Sequence, residues 1–174
     1  MRIISGKYKG VKLSVSKKLN LRPTTDRARE GLFNILQNKF NFCTSSVLDL
    51  FSGTGSISFE FASRGCEDII AVEKNKKCIE SIKKSAKKMG INLKLYHSES
   101  VNFLKKQTNK YDIIFADPPY NYNHHKELKD LILQNQIIHD NGCLIIEHDQ
   151  KTSFDDSNIQ RRTYGAVNFS IFYI

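Results

Sequence analysis

Val47-Leu48-Asp49-Leu50-Phe51-Ser52-Gly53-Thr54-Gly55-Ser56 is the stretch from which the rest of the chain is read. Val47, Leu48, Leu50 and Phe51 surround one acid, which predicts a buried parallel strand running into a tight turn. Gly53 and Gly55 let the backbone bend sharply and come close to a ligand. From Ser56, the apolar residues Ile57, Phe59, Phe61 and Ala62 predict a helix to about Arg64, its first N–H groups facing the turn. Together these make a cradle of the nucleotide-binding α/β kind. A dinucleotide suits it poorly, because Ser58 stands where the third glycine of G-x-G-x-x-G belongs. The carboxylate of Asp49 suits a ligand with a positive ammonium and sulfonium, and repels phosphate. Taken alone, the glycine pattern is also compatible with a plain turn.

Outward from this stretch the chain alternates strand and helix. Asp26 opens a predicted helix to about Asn38, with Ala28, Leu32, Phe33, Ile35 and Leu36 inward and an acid on its positive dipole end. Ile69–Glu73 reads as a second strand. Glu73 lies twenty residues beyond Gly53, where such folds place an acid on ribose hydroxyls; the competing reading is an ordinary acid at a strand end. Lys76–Met89 is a predicted amphipathic helix closed by Gly90, with its lysines read as a solvated face. Strands are expected at Leu93–Tyr96, Asp112–Ala116 and Cys143–Glu147, and helices at Val101–Lys106 and Lys126–Asn135. Lys151–Asn158 reads as loop, and Arg161–Tyr164 with Asn168–Ile174 as a closing antiparallel pair. Met1–Ser16, around Gly6 and Gly10, predicts a hairpin or extended arm, and Pro23 a turn. The order implies one α/β domain: a doubly wound, mostly parallel sheet with helices on both faces, residues 26–174, preceded by a basic arm, residues 1–25.

The charge is unevenly placed. Residues 1–29 hold nine basic residues against the single acid Asp26, and the remainder is close to neutral, with 18 basic and 17 acidic residues. A basic arm on a near-neutral body points to a polyanion, with nucleic acid first, although a solvated terminal segment has the same composition. No apolar run approaches the ~20 residues of a membrane span, and no signal peptide is evident, so a cytoplasmic location is expected. Cys43, Cys66, Cys78 and Cys143 lack metal-ligand spacing; inert reduced thiols and no metal are expected.

Asp117-Pro118-Pro119-Tyr120 follows a predicted central strand, at the edge where ligands bind in such sheets. Two prolines remove two N–H donors and leave a rigid loop of carbonyl acceptors, to which Asp117 adds a carboxylate. An NH₂ group, with two hydrogens to place, fits such a loop, and Tyr120 offers a face on which a flipped base could stack. A bare rigid turn is the alternative.

This motif resembles the [Asp/Asn]-Pro-Pro-[Tyr/Phe] signature of amino-methyltransferases that use S-adenosylmethionine, and Asp49–Gly55 is similar to their cofactor motif. Arg2-Ile3-Ile4-Ser5-Gly6-Lys7-Tyr8-Lys9-Gly10 and Leu21-Arg22-Pro23-Thr24-Thr25-Asp26-Arg27-Ala28-Arg29-Glu30 more narrowly resemble the RsmD family, which methylates guanine N2 in 16S ribosomal RNA. The resemblance implies a seven-stranded sheet of the class I methyltransferase type, with an antiparallel strand near its C-terminus and an N-terminal hairpin. It further implies that Asp49, Phe51, Ser52, Gly53 and Gly55 surround the methionine part of the cofactor. Glu73, with Lys74 beside it, would take the ribose hydroxyls, and Glu99 and Ser100 would flank the adenine. Asp117, Pro118 and Tyr120 would hold the guanine, with Asp117 also against the cofactor. Arg2, Lys7, Lys9, Arg22, Arg27 and Arg29 would meet RNA, within an assembled or assembling 30S subunit and as a monomer. Glu99 is longer than the family's usual Asp or Asn, and Asn20 replaces a frequent glycine. Alternatives from the residues are methylation of adenine N6 or DNA, a non-catalytic RNA-binding module, and a nicotinamide oxidoreductase.

Overall fold

The computed structural model describes residues 1–13, 24–119, 121–156 and 158–174; the expectations for Arg22 and Tyr120 lie outside these. Along the chain run α1 (Asp26–Leu36), β1 (Ser46–Leu50), α2 (Ser56–Ser63), β2 (Asp68–Glu73), α3 (Lys76–Met89), β3 (Lys94–His97), α4 (Ser100–Leu104), β4 (Tyr111–Ala116), α5 (His125–Gln134), β5 (Ile138–His148), β6 (Ile159–Tyr164) and β7 (Val167–Tyr173). The sheet order is β3-β2-β1-β4-β5-β7-β6, and β7 runs against the direction of the other six strands. This is the expected seven-stranded α/β fold. The order reverses between β1 and β4, so the crevice at their carboxyl ends is where a ligand settles.

Alternation along the strands sorts the side chains. Val47, Ile69, Ile113, Phe115, Cys143 and Ile145 pack beneath α1 and α2. Leu48, Leu50, Ile70, Val72, Ile114 and Leu144 face the other way, toward Leu104 of α4 and Leu128 and Ile132 of α5. Continuing the first series by steps of two reaches Asp49, Glu73, Asp117 and Glu147. Four acids therefore share one face at one edge of the sheet.

The helix ends follow from local chemistry. Thr25 accepts from the Ala28 N–H at the start of α1 (3.2 Å), and Asn75 accepts from Lys77 at the start of α3 (2.9 Å). Gly90, left-handed at φ 66°, closes α3 as expected. β5 begins five residues earlier than the apolar run predicts. Asn141 donates its N–H to the Ile174 carbonyl (3.2 Å) and is drawn into the ladder.

α2 is covered all round. Ile57 and Phe61 face the sheet and α1, while Phe59 joins Ile82 and Ala86 of α3 in a cluster closed by Ile3 and Leu13 of the arm. The arm is a hairpin with one antiparallel bridge, Arg2 to Lys12. It is laced to α2: Ile4 and Ser5 donate to the Glu60 carboxylate (2.8 and 3.0 Å), and Lys7 donates to the Ser63 carbonyl (2.7 Å). Gly6 makes the approach possible; a Cβ there would stand 1.9 Å from the Ser63 carbonyl oxygen, and its φ is +80°.

One expectation is corrected. Arg29 does not reach RNA: its side chain is fully buried. It shares the inward stripe of Leu32 and Leu36, and pairs with Asp26 (2.6 Å) and, at 4.0 Å, with the buried Glu60. Cys66, Cys78 and Cys143 are buried free thiols, with burial pushing Cys66 up to about 12 and Cys78 up to about 11. Among the described residues no helix is long and apolar enough to cross a membrane.

Candidate active site

A cavity of about 370 Å³ opens at the carboxyl edge, between the β1 turn, the end of β2, the start of α4 and the Asp117-Pro118-Pro119 loop. Its floor is Asp49, 1% exposed. Ser58, the residue standing in place of a third glycine, gives Asp49 both its backbone N–H (3.2 Å) and its hydroxyl. Asp49 thereby does what a capping side chain would do for α2, whose cap residue Gly55 supplies none. Burial, above all, pushes the Asp49 carboxyl up to about 7; Ser58 opposes this and the nearby Glu73 adds to it.

The turn is stitched to β2. Ser52 donates its N–H (3.0 Å) and hydroxyl (2.8 Å) to the Val72 carbonyl. Gly53 and Asn75 donate to the two oxygens of Glu73 (2.8 and 2.7 Å), fixing that carboxylate at the cavity wall. Each oxygen keeps acceptor capacity for a hydroxyl. Phe51 adopts φ 59°, a left-handed conformation that a bulky residue takes only under constraint, and its ring meets Tyr122 edge-on (5.6 Å).

Of the predicted cofactor residues, Asp49, Phe51, Ser52, Gly53, Glu73, Lys74, Ser100 and Asp117 line the cavity. Gly55 does not; its φ of 75° turns the chain into α2, and a Cβ there would press on Ile82 and Phe59 (3.1 Å each). Glu99 is exposed and off the lining, its carboxylate 3.4 Å from Asn102. Sequence reasoning missed Thr24, Thr54, Asn75 and Cys78, which also line it. Asn75 carried a signal, being the N-cap immediately after a strand-end acid.

Asp117 and Pro118 belong both to this cavity and to a small one, about 20 Å³, that adds His125, Glu147, His148 and Asp149. Asp117 and Glu147 each come one residue after the paired positions Ala116 and Ile146 of adjacent strands. Burial, then Glu147, then Asp49 hold the Asp117 carboxyl well above the usual range. Thr24 donates its hydroxyl to Glu147 at 2.6 Å. The rigid Pro-Pro loop is tied down by the Pro119 carbonyl, which accepts from Tyr122 (2.7 Å). Arg2, Lys7, Lys9 and Arg27 are exposed, with Arg2 Nε 2.9 Å from Asp26.

Among the described residues lining the main cavity Lys74 is the only cation, set against three acids. An acid-floored cleft at this switch point, beside an Asp-Pro-Pro loop, defines the chain as a protein of the Rossmann-like methyltransferase fold. The family described as conserved hypothetical protein 95 matches residues 1–173, and the chain belongs to it: this is the RsmD family. The ribosomal RNA small subunit methyltransferase D of Buchnera aphidicola subsp. Baizongia pistaciae is 37% identical over 150 residues, covering 86% of this chain and 76% of that one. The hypothetical protein TTHA0928 of Thermus thermophilus superposes with a TM-score of 0.88 at 25% identity, covering 100% of this chain and 99% of that one. The T. thermophilus 16S rRNA N2 methyltransferase RsmC, solved with AdoMet and guanosine, shares the fold: TM-score 0.67, 18% identity, 86% of this chain and 43% of that one.

Proposed function

We propose that the chain transfers a methyl group from S-adenosylmethionine to the exocyclic N2 amine of a guanine in 16S ribosomal RNA. It would act as a cytoplasmic monomer on an assembled or assembling 30S subunit. The observation that carries this reading is that two cavities share Asp117 and Pro118 in their walls. One is large enough for a cofactor, and the other is walled by acceptors. Membership of a family whose relatives are named for small-subunit ribosomal RNA methylation supplies the substrate class.

The residues present fit this cofactor. A buried carboxylate held near neutrality by burial awaits a cation, and the three acids of the described lining, Asp49, Glu73 and Asp117, disfavour a pyrophosphate. Asp49 would face the ammonium end, and Glu73 would accept from the ribose hydroxyls. Ser100 would sit beside the adenine. When bound, S-adenosylmethionine supplies a methyl group on a positive sulfur. Asp117 and the Pro118 carbonyl would accept the two hydrogens of the guanine amine and aim its lone pair into the larger cavity. As positive charge grows on the nitrogen, the same two acceptors stabilise it. A cation nearby also favours the ionised forms of Asp49 and Asp117.

The test is transfer of labelled methyl to unmodified small subunits, with naked 16S RNA and DNA in parallel. Label recovered as N2-methylguanine from the particle supports the reading. Label on adenine or on DNA overturns the base assignment, and no label on any acceptor overturns the activity.

A further inference from the structure

The arm and α3 share an apolar cluster. Ile3 and Leu13 are packed with Ile82 and Ala86, and Tyr8, Val11 and Met89 lie against the same cluster. This sets two basic surfaces side by side. On α3, Lys76, Lys83 and Lys87 form one outward row, and Lys77, Lys84 and Lys88 the next, all exposed. The only acid of that helix is Glu80. On the arm, Lys7, Lys9 and Lys12 are exposed as well.

Three described lysines elsewhere meet carboxylates, whereas Lys39, Lys74, Lys105, Lys106, Lys110 and Lys151 have no ion pair but are scattered over other elements. Lys94 meets Asp68 at 2.7 Å, Lys126 meets Asp155 at 3.0 Å and Lys129 meets Asp156 at 2.8 Å. Among the described residues, none of the nine lysines on α3 and the arm takes part in an ion pair. Uncompensated like charges crowded on two packed elements repel one another, and a polyanion relieves that repulsion. The strip is also connected to the chemistry. α3 starts at the cavity, where Lys74, Asn75 and Cys78 are in the wall, and its 14 residues carry the lysine rows ~21 Å away.

We propose that the outward face of α3, together with the arm, is a second contact surface for the ribosomal RNA backbone, gripping phosphates at a distance from the methylated base. The proposal rests on the reading above and names how that substrate is held. α3 contributes charge without base contacts, so its role is positioning.

The experiment uses the full chain and 16S RNA. Lys83, Lys84, Lys87 and Lys88 are replaced together by alanine, and in a second variant by glutamine; both residues are strong helix formers, so α3 survives, as circular dichroism will confirm. A control replaces four exposed lysines elsewhere, Lys105, Lys106, Lys110 and Lys151. The expected result is that both α3 variants lose at least about tenfold in RNA affinity, and that the log–log salt dependence becomes shallower by about 3. The control should keep the parent slope. Slopes unchanged in the α3 variants overturn the proposal, as does an equal fall in the control, which would make the effect one of net charge alone. If the parent binds RNA through α3 but transfers no methyl, the surface stands and the proposed activity fails.

Discussion

Thr24 donates its hydroxyl to the Glu147 carboxylate at 2.6 Å, across 123 positions of sequence and in a fully buried setting. The bond fastens the residue preceding the α1 cap to the end of β5, beside Asp117. Thr24→Val removes one donor to a buried carboxylate, a loss of about 1.5–3 kcal/mol. At roughly 2–4 °C per kcal/mol for a chain of this size, the melting temperature should fall by about 3–12 °C. Thr24→Ser should restore most of it. A Thr24→Val protein that melts with the parent would show that the bond contributes nothing.

Asp117→Ala removes one of the two proposed acceptors for the amine. Methyl transfer should drop by at least about a hundredfold at saturating substrate. Cofactor binding, proposed to rest chiefly on Asp49, Glu73 and the glycine turn, should change far less. Equilibrium dialysis and single-turnover rates separate the two effects, and transfer at the parental rate would remove Asp117 from the reaction.

Asp49 makes stability pH-dependent in the unusual direction for an acid. Its folded carboxyl titrates at about 7, against the ordinary 3.8 of an unfolded chain, because of burial. Between those values the folded state holds the proton and the unfolded state does not. The contribution of Asp49 to stability is therefore greatest below about pH 4, declines as pH rises, and levels off above about pH 7. Asp49→Asn removes this dependence. Parent-minus-variant stability from urea melts should fall steadily from about pH 4 to about pH 7, and a flat difference would contradict the burial argument. A cationic ligand reverses the preference, so cofactor affinity of the parent should rise over about pH 6–8 and that of the variant should not.

Glu60 holds the arm by two backbone N–H groups while facing Arg64 (2.9 Å) and Arg29 (4.0 Å). Glu60→Ala takes the carboxylate from Arg64, leaves Arg29 with Asp26 alone and strips two backbone N–H groups of their acceptor, at a cost of about 3–5 kcal/mol. The amides of Ile4 and Ser5 should lose their protection from hydrogen exchange. Gly6→Ala attacks the same contact from the other side, by a clash with the Ser63 carbonyl, and should expose the same two amides. Retained protection in both variants would mean that the arm is held by its apolar residues alone.

The central strands were legible because a parallel strand buried on both faces is a continuous apolar run, as in Ile69–Val72 and Ile113–Ala116. Glu73 was found by its spacing from Gly53, and Asp117 by the two prolines behind it. Thr24 and Glu147 were not found together, because a contact spanning most of the chain leaves no periodicity in either neighbourhood. The left-handed Phe51 was equally silent, since only the fold forces a bulky residue there. Arg29 was misread by grouping it with the charges around it. Its spacing from Leu32 and Leu36 already pointed inward. The lysines of α3 looked like an ordinary wet face until the arm was seen to lie beside them.

The wrapping of α2 has a kinetic side. Residues 1–13 leave the ribosome before the helix they cover exists, and β1 and α2 must form before Glu60 and Ser63 can receive them. Until then Phe59 has lost one of its walls. A segment made before α2 can thus dock only after it, and a separate step that buries Phe59 is what refolding should reveal.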